Sequence, residues 1–317
     1  MGAFPTEYVA GLVVLLVVVV LALLRRKPAQ PKEEFVNLLA PKPSLWWIVD
    51  DEQNARSWLD FGGRKTAEPN RGYLQIALDA VRATQGADFE VKPLIGRAAV
   101  LAAIGASAVP DAARLPAALW RSYSHAALLE AQGGLVMDGA STLCIGPRIA
   151  PSLHGVTAAV FGISPEEPVA NPTEAVAPGP APYVGYAAAP HHPAWQHAAA
   201  IWTKLVVRGP QAWTSAEARR TYMTVFEAQR TFGISVIRDV EAGRLPDGRP
   251  RVLEDLFGRV AMPADPKTLV PVGAVYVSYD GDMLSRSHEF KWFLRLSPEQ
   301  IRSSEFVWAR LAAQAAL

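Results

Sequence analysis

A run of helix-forming residues, a glycine pair and a short apolar segment follow one another in the middle of the chain. The helical run begins at Pro116 and stops at Gly133-Gly134. Proline suits the first turn of a helix, and glycine suits the left-handed residue that ends one. The apolar residues that follow have the composition of a strand and lead into Asp138. A carboxylate there is open to a ligand at the carboxyl edge of an α/β sheet.

Strand and helix patterns alternate on the N-terminal side of this segment. Leu45–Val49 is an apolar β-type run, 73–85 has amphipathic helical spacing, and 89–95 alternates as a strand does. Strand, helix, strand, helix and strand in this order predict an α/β fold, a mostly parallel sheet with crossover helices. The later predicted elements are strands at 156–161, 183–186 and 272–279 and helices at 193–208, 215–231 and 298–316.

The N-terminal end contains an apolar run, Val9–Leu24, without a polar side chain. At roughly 1.5 Å per residue it spans about 24 Å, slightly less than the ~30 Å hydrocarbon core of a bilayer. Tyr8 precedes the run and basic residues occupy 25–27. This order favours an uncleaved transmembrane helix over a cleaved signal peptide, whose basic residues precede its apolar run. It also predicts a single-pass protein with the C-terminal domain on the cytosolic side.

These patterns divide the chain into a membrane anchor (1–27), a proline-rich tether (28–44) and a globular domain (45–317). Lys and Arg total 31 against 30 for Asp and Glu, so no overall charge attracts nucleic acid. The single cysteine, Cys144, excludes an internal disulfide framework, and we interpret it as a buried, inert thiol. The first residues also fit the permissive pattern for myristoylation of Gly2.

The segment that carries Gly133, Gly134 and Asp138 resembles the helix–Gly-Gly–strand–Asp segment of capsular-polysaccharide-synthesis-type glycosyltransferases. Those enzymes are related to the DXD-containing mannosyltransferases and glucosylating toxins, in which this aspartate holds a divalent metal on the sugar-nucleotide diphosphate. The resemblance implies a GT-A-like fold, a nucleotide-diphosphate-sugar donor, a glycan or glycoconjugate acceptor, and a Mn²⁺ or Mg²⁺ ion. It assigns Asp138 as the catalytic metal ligand.

The chain departs from the pattern of these families at three positions. Ala140 stands where the mannosyltransferase branch has a second aspartate, which the capsular-synthesis branch also lacks. Ser122 and His125 stand where the preceding helix of these families has an aspartate and an arginine. We keep both as candidates for donor binding. Arg121 is adjacent, but on a helix it points about 100° away from Ser122.

Polar residues near the first predicted strand are further candidates for contact with the donor. Asp50 and Asp51 follow this strand directly, where a nucleotide-binding sheet meets the base and ribose. The alternative for both is a pair of solvated turn carboxylates. Arg71 lies in a turn-forming Pro-Asn-Arg-Gly-Tyr sequence, from which it could reach a diphosphate.

A second carboxylate pair, Asp280 and Asp282, follows the last predicted strand and forms a literal DXD sequence. Asp-Gly is also common in tight turns, so a simple turn is the alternative. His288 follows shortly afterwards. Enzymes of the GT-A class often complete their metal shell with a C-terminal histidine or acid, which makes His288 a metal-ligand candidate. A histidine at the surface or at a helix cap is the alternative.

Three functional interpretations follow. The first is a membrane-anchored glycosyltransferase that moves a hexose from a nucleotide-diphosphate sugar with divalent-metal assistance. The second is a catalytically inactive relative that serves as a membrane-anchored binding or structural protein, which the departures at Ser122 and His125 favour. The third is a membrane-tethered hydrolase that cleaves phosphoesters at an aspartate-based metal site.

Overall fold

The computed structural model describes residues 41–50, 72–161, 184–237, 253–258, 270, 273–281, 284 and 287–315. The predicted membrane span at 9–24 lies outside the described residues, as do Asp51, Arg71 and Asp282. None of the helices in the described part combines the length and the apolar composition of a membrane span. Pro43–Leu317 forms one compact unit.

The described strands form a six-stranded mixed sheet and a two-stranded sheet. The strands are β1 (Ser44–Val49), β2 (Glu90–Ile95), β3 (Gly134–Asp138), β4 (Thr142–Cys144), β5 (Ala158–Phe161), β6 (Val184–Ala187), β7 (Ser235–Ile237) and β8 (Tyr276–Ser278). In the larger sheet the order is β2-β1-β3-β6-β5-β7, and β4 pairs with β8 in the smaller one. β1 is parallel to both β2 and β3, β7 is parallel to β5, and β6 is antiparallel to its two neighbours.

Helices cover both faces of the larger sheet because its strands alternate between two apolar cores. The helices are α1 (Gly72–Gln85), α2 (Arg97–Ile104), α3 (Ala117–Gln132), α4 (Pro193–Val207), α5 (Ser215–Thr231), α6 (Glu254–Phe257), α7 (Pro298–Arg302) and α8 (Val307–Ala315). Leu45, Trp47 and Val49 of β1 pack with α1, α7 and α8, whereas Trp46 and Ile48 pack with α2, α3, α4 and α5.

The structure confirms the α/β class, with a mostly parallel sheet between flanking helices. The single closing helix predicted over 298–316 is wrong, because α7 ends at Arg302 and α8 begins at Val307. The side chains of Ser303 and Ser304 donate hydrogen bonds to the carbonyls of Gln300 and Ile301. Such local bonds compete with the continuation of a helix.

The glycine pair makes the tight turn from α3 into β3. Gly133 ends α3 at φ 62°, and Gly134 begins β3 at φ 87°. A Cβ at Gly134 would lie 2.3 Å from the carbonyl oxygen of Ser44, the first residue of β1. Position 134 therefore needs glycine for its backbone angle and for the close approach of β3 to β1.

We expect Gly134→Ala to destabilise the protein more than Gly105→Ala does. Gly105 also has a positive φ of 75°, but a Cβ there meets nothing within 4 Å. The control therefore carries only the backbone strain of about 1–2 kcal/mol. Gly134→Ala adds an overlap with the backbone, which costs roughly 1–3 kcal/mol more. Chemical denaturation measures both, and equal losses would show that the close approach to Ser44 is not a constraint.

Candidate functional site

The carboxylates of Asp50 and Asp138 lie at the same edge of the larger sheet. β1 and β3 are parallel, with Ile48 directly opposite Asp138, and Asp50 follows the end of β1. Because side chains alternate along a strand, Ile48, Asp50 and Asp138 share the face that α3 covers. The sequence prediction that Asp138 ends a strand is confirmed.

α3 contributes one side of a cleft at this edge. Its C-terminal end turns tightly into β3, so α3 runs antiparallel to β3 and its first turns lie at the carboxyl end of that strand. The residues of α3 that face the cleft recur at helical spacing. The cleft is lined by Ile48, Asp50, Ala117, Trp120, Arg121, Ser124, His125 and Asp138.

The cleft is small for a complete nucleotide sugar. It has room for about one water molecule. Sites for small molecules usually measure about 300–1,000 Å³. A nucleotide-sized ligand would therefore lie mostly outside this cleft.

Asp138 forms a buried ion pair with Arg121. Nε of Arg121 donates to Oδ2 of Asp138, and the two side chains are only 10% and 9% exposed. The other carboxylate oxygen, Oδ1, accepts the backbone N–H of Ala140 at 2.9 Å. Nη2 of Arg121 also lies 3.4 Å from Oγ of Ser141. Both oxygens of the predicted catalytic aspartate therefore already have partners.

Ser122 and His125, the predicted donor contacts on α3, lie on different faces of the helix. His125 is buried and lines the cleft, one helical turn after Arg121. Ser122 does not line it, and its hydroxyl donates to the carbonyl of Ala118 at 3.2 Å. The expected 100° between Arg121 and Ser122 thus turns the arginine, not the serine, toward the sheet edge. Arg121 and His125 are four residues apart, a spacing that puts both side chains on one face of a helix.

Asp50 is held by Arg97, the first residue of α2, in a bidentate ion pair. Nε and Nη2 of Arg97 donate to the two oxygens of Asp50 at 2.9 and 2.8 Å. Nη1 donates to the carbonyls of Ala113 and Leu115 at 2.7 and 2.6 Å, and the guanidinium lies 5.1 Å from the ring centre of Trp120. This network fastens the segment before α3 to the end of β1. Contact between Asp50 and a donor stays a prediction.

The segment with the DXD sequence lies beside the turn that follows Asp138. β8 pairs with β4, and the N–H of Tyr279 donates to the carbonyl of Ser141 at 2.9 Å. The N–H of Gly281 lies 3.3 Å from Oγ of Ser141. Burial raises the pKa of Tyr279 well above its ordinary value, and the nearby Tyr73 and Asp138 raise it further. Asp280 is thus adjacent to the site in space, which sequence alone did not show.

The described side chains do not form a shell for Mn²⁺ or Mg²⁺. No group of three or more His, Cys, Asp or Glu residues in the described ranges is placed to hold a metal. His288 is exposed in a turn after β8, and Asp282 lies outside the described residues. A cation on Asp138 would share the carboxylate with the guanidinium of Arg121 and lie beside a like charge, since Arg121 donates to Oδ2 and the N–H of Ala140 donates to Oδ1.

Comparison of the chain with protein-family models, curated proteins and solved structures finds no match in any of the three. Any functional assignment therefore rests on the sequence around Asp138 and on the geometry of the cleft. The arginines at positions 97 and 121 are the main features of that geometry.

We expect the buried pair of Asp50 and Arg97 to be strongly coupled. Arg97→Met leaves the Asp50 carboxylate buried without its counter-charge, which costs about 3–5 kcal/mol of unfolding free energy. Adding Asp50→Asn removes that charge and should recover part of the loss. Denaturant unfolding of the two single variants and the double variant gives the coupling energy.

A matched control for this cycle is Arg114→Met, because Arg114 forms an exposed ion pair with Asp111. Exposed pairs contribute about 0–1 kcal/mol, so this variant should lose little stability. If the losses of the Asp50 and Arg97 variants simply add, the pair does not hold the edge of the sheet as described.

Cys144 should react with thiol reagents only when the protein unfolds. It is buried at 0% exposure, and burial raises its pKa to about 12. Because only a thiolate attacks alkylating reagents readily, labelling of the folded protein at pH 8 should be slow. Mass spectrometry during a denaturant titration should show labelling that follows the loss of tertiary structure. Rapid labelling of the folded protein would contradict the buried position of Cys144.

Proposed function

We propose that this protein is a membrane-anchored glycosyltransferase that moves a hexose from a nucleotide-diphosphate sugar to a glycan or glycoconjugate acceptor. The observation that supports it is the position of the cleft between β1 and β3. The chain leaves β1 through α1 to reach β2 on one side, then returns through α2 and α3 to β3 on the other side. Open α/β sheets bind nucleotides at such a switch point, outside the carboxyl ends of the strands.

The residues of the cleft suit one end of such a donor. Arg121 supplies a fixed positive charge, and His125 and Ser124 supply further polar groups on the same face of α3. The sequence around Asp138 resembles that of enzymes with a donor of this class. The GT-A-like fold is part of the proposal, and the mostly parallel sheet with flanking helices is compatible with it.

The transfer reaction requires the protein to stabilise the diphosphate leaving group. The bond from the anomeric carbon to the diphosphate oxygen breaks, and the acceptor oxygen forms a new bond to that carbon while its hydroxyl proton is released. The electron pair and the negative charge go to the nucleoside diphosphate. A fixed positive group beside this charge lowers the barrier because it needs no reorganisation during the reaction. The Arg121 guanidinium occupies a position from which it can do this.

The predicted requirement for Mn²⁺ or Mg²⁺ stays a prediction. It requires Asp138 to bind the ion beside the guanidinium of Arg121 or in its place. The predicted anchor would hold the domain at the cytosolic face of a membrane, where sugar nucleotides are available. Myristoylation of Gly2 likewise stays a prediction.

A catalytically inactive binding or structural protein is the second candidate. The two buried carboxylates at the sheet edge, Asp50 and Asp138, are both neutralised by arginines. Such pairs complete a scaffold without any ligand, so the same residues could be retained for folding alone. This candidate predicts no donor turnover by the wild-type protein.

The experiment that separates these candidates is donor turnover by the full-length protein in detergent or lipid nanodiscs. We expect one member of a panel of UDP- and GDP-sugars to release its nucleoside diphosphate. Asp138→Asn keeps the size of the side chain and should slow that release by about 100-fold, as loss of an oriented polar group in an active site does.

The control variant is Asp111→Asn, which alters an exposed aspartate outside the cleft and should leave turnover unchanged. If no donor is turned over or bound, the inactive binding protein becomes the better account. Release of phosphate from simple phosphoesters, without any dependence on a sugar, would instead select a hydrolase.

A further inference from the structure

The predicted divalent cation and the observed partner of Asp138 compete for the same carboxylate. Arg121 occupies Oδ2 of Asp138, and the backbone N–H of Ala140 occupies Oδ1. A cation that bound beside Arg121 would repel its guanidinium, and a cation that displaced it would leave a side chain only 10% exposed without its counter-charge. Leaving one member of a buried ion pair uncompensated is strongly unfavourable. The described geometry therefore favours an arginine over a metal ion at this position.

The charge balance of the cleft does not repel an anion. The carboxylates of Asp50 and Asp138 are each neutralised by a buried arginine, so neither leaves a net negative charge to repel a phosphate. Ala117, the first residue of the 16-residue helix α3, lines the cleft. Pro116, the residue before it, makes no side-chain capping bond to the helix. The first turn of a helix carries a partial positive charge and N–H groups without partners inside the helix.

On these grounds we propose that Arg121 is the group that binds the diphosphate of the donor, and that it takes the place of the divalent cation. This inference rests on the proposed function and specifies the ligand of that site as a nucleoside diphosphate bound without metal. A guanidinium is suited to the task because its charge is permanent and its fork of N–H groups matches two phosphate oxygens. Ser124 and His125 line the same cleft and place additional polar groups beside it.

In this arrangement Asp138 is a positioning residue. It acts through Arg121, because the bond from Nε to Oδ2 orients the plane of the guanidinium. Ser141 lies 3.4 Å from Nη2 and limits rotation of the same group. Asp138→Asn keeps an oxygen that can accept from Nε, whereas it would remove the charge that a metal ligand needs. The two roles of Asp138 therefore predict different effects of one substitution.

The test is calorimetric binding of UDP, GDP and pyrophosphate to the full-length protein, in EDTA and in Mn²⁺. The wild-type protein should bind a nucleoside diphosphate in EDTA with an affinity close to that in Mn²⁺. Arg121→Gln should weaken binding in EDTA by at least about tenfold, the size of one charge-assisted contact. Arg121→Lys should restore part of it, because lysine keeps the charge but not the fork.

Arg121→Gln alone leaves Asp138 buried and unpaired, so a folding defect is a risk for that variant. The double variant Arg121→Gln, Asp138→Asn removes both charges together and is expected to fold, as circular dichroism can verify. It should lose binding as Arg121→Gln does. Asp138→Asn alone should weaken binding less than Arg121→Gln and leave the ratio of the affinities in Mn²⁺ and EDTA unchanged. Arg114→Gln, at an exposed arginine, is the matched control and should bind as the wild type does.

Two results would overturn the inference, and they are distinguishable. Binding that needs Mn²⁺, disappears with Asp138→Asn and survives Arg121→Gln would assign Asp138 to a metal and leave the proposed function standing. Absence of binding by any of the three ligands, with and without Mn²⁺, would remove the proposed function together with the inference.

Discussion

The burial of two carboxylates at the ends of β1 and β3 constrains everything around the cleft. Asp50 and Asp138 are almost completely removed from water, and an unpaired carboxylate in such a place would cost several kcal/mol. Each therefore needs a positive partner from outside its own strand. Arg97 at the start of α2 and Arg121 near the start of α3 supply those charges, and both helices must begin at this edge of the sheet to do so.

The connections between the strands explain why there is a crevice at this edge. α1 packs in the core on one face of the sheet, and α2 and α3 pack in the core on the other. The chain thus leaves β1 in one direction and approaches β3 from the other, which separates the helices above the carboxyl ends of these two strands. The β4–β8 sheet adds a second turn, with Asp280 and Gly281, beside Ser141. Polar groups from distant parts of the chain converge there for topological reasons.

Sequence reasoning predicted what depends on local pattern. The apolar β-type run Leu45–Val49, the helix before Gly133 and the strand that ends at Asp138 each follow from composition, spacing and glycine and proline chemistry. It did not predict the charge partners, because Asp50 and Arg97 are 47 residues apart and no local periodicity links them. Helix geometry gave the correct angle between Ser122 and Arg121, but only the packed sheet shows which of the two faces the edge. The neighbouring DXD turn depends on strand pairing between β4 and β8, which short-range patterns do not encode.

The central claim is that the crevice between β1 and β3 holds the diphosphate of a nucleotide sugar. The most direct measurement is an experimental structure of the full-length protein with UDP or GDP, determined once in EDTA and once with Mn²⁺. The account predicts phosphate density beside the guanidinium of Arg121 and the first turn of α3 in both conditions, with Asp138 still bonded to Arg121. Nucleotide density elsewhere on the protein, or an empty crevice at saturating nucleotide, would contradict it.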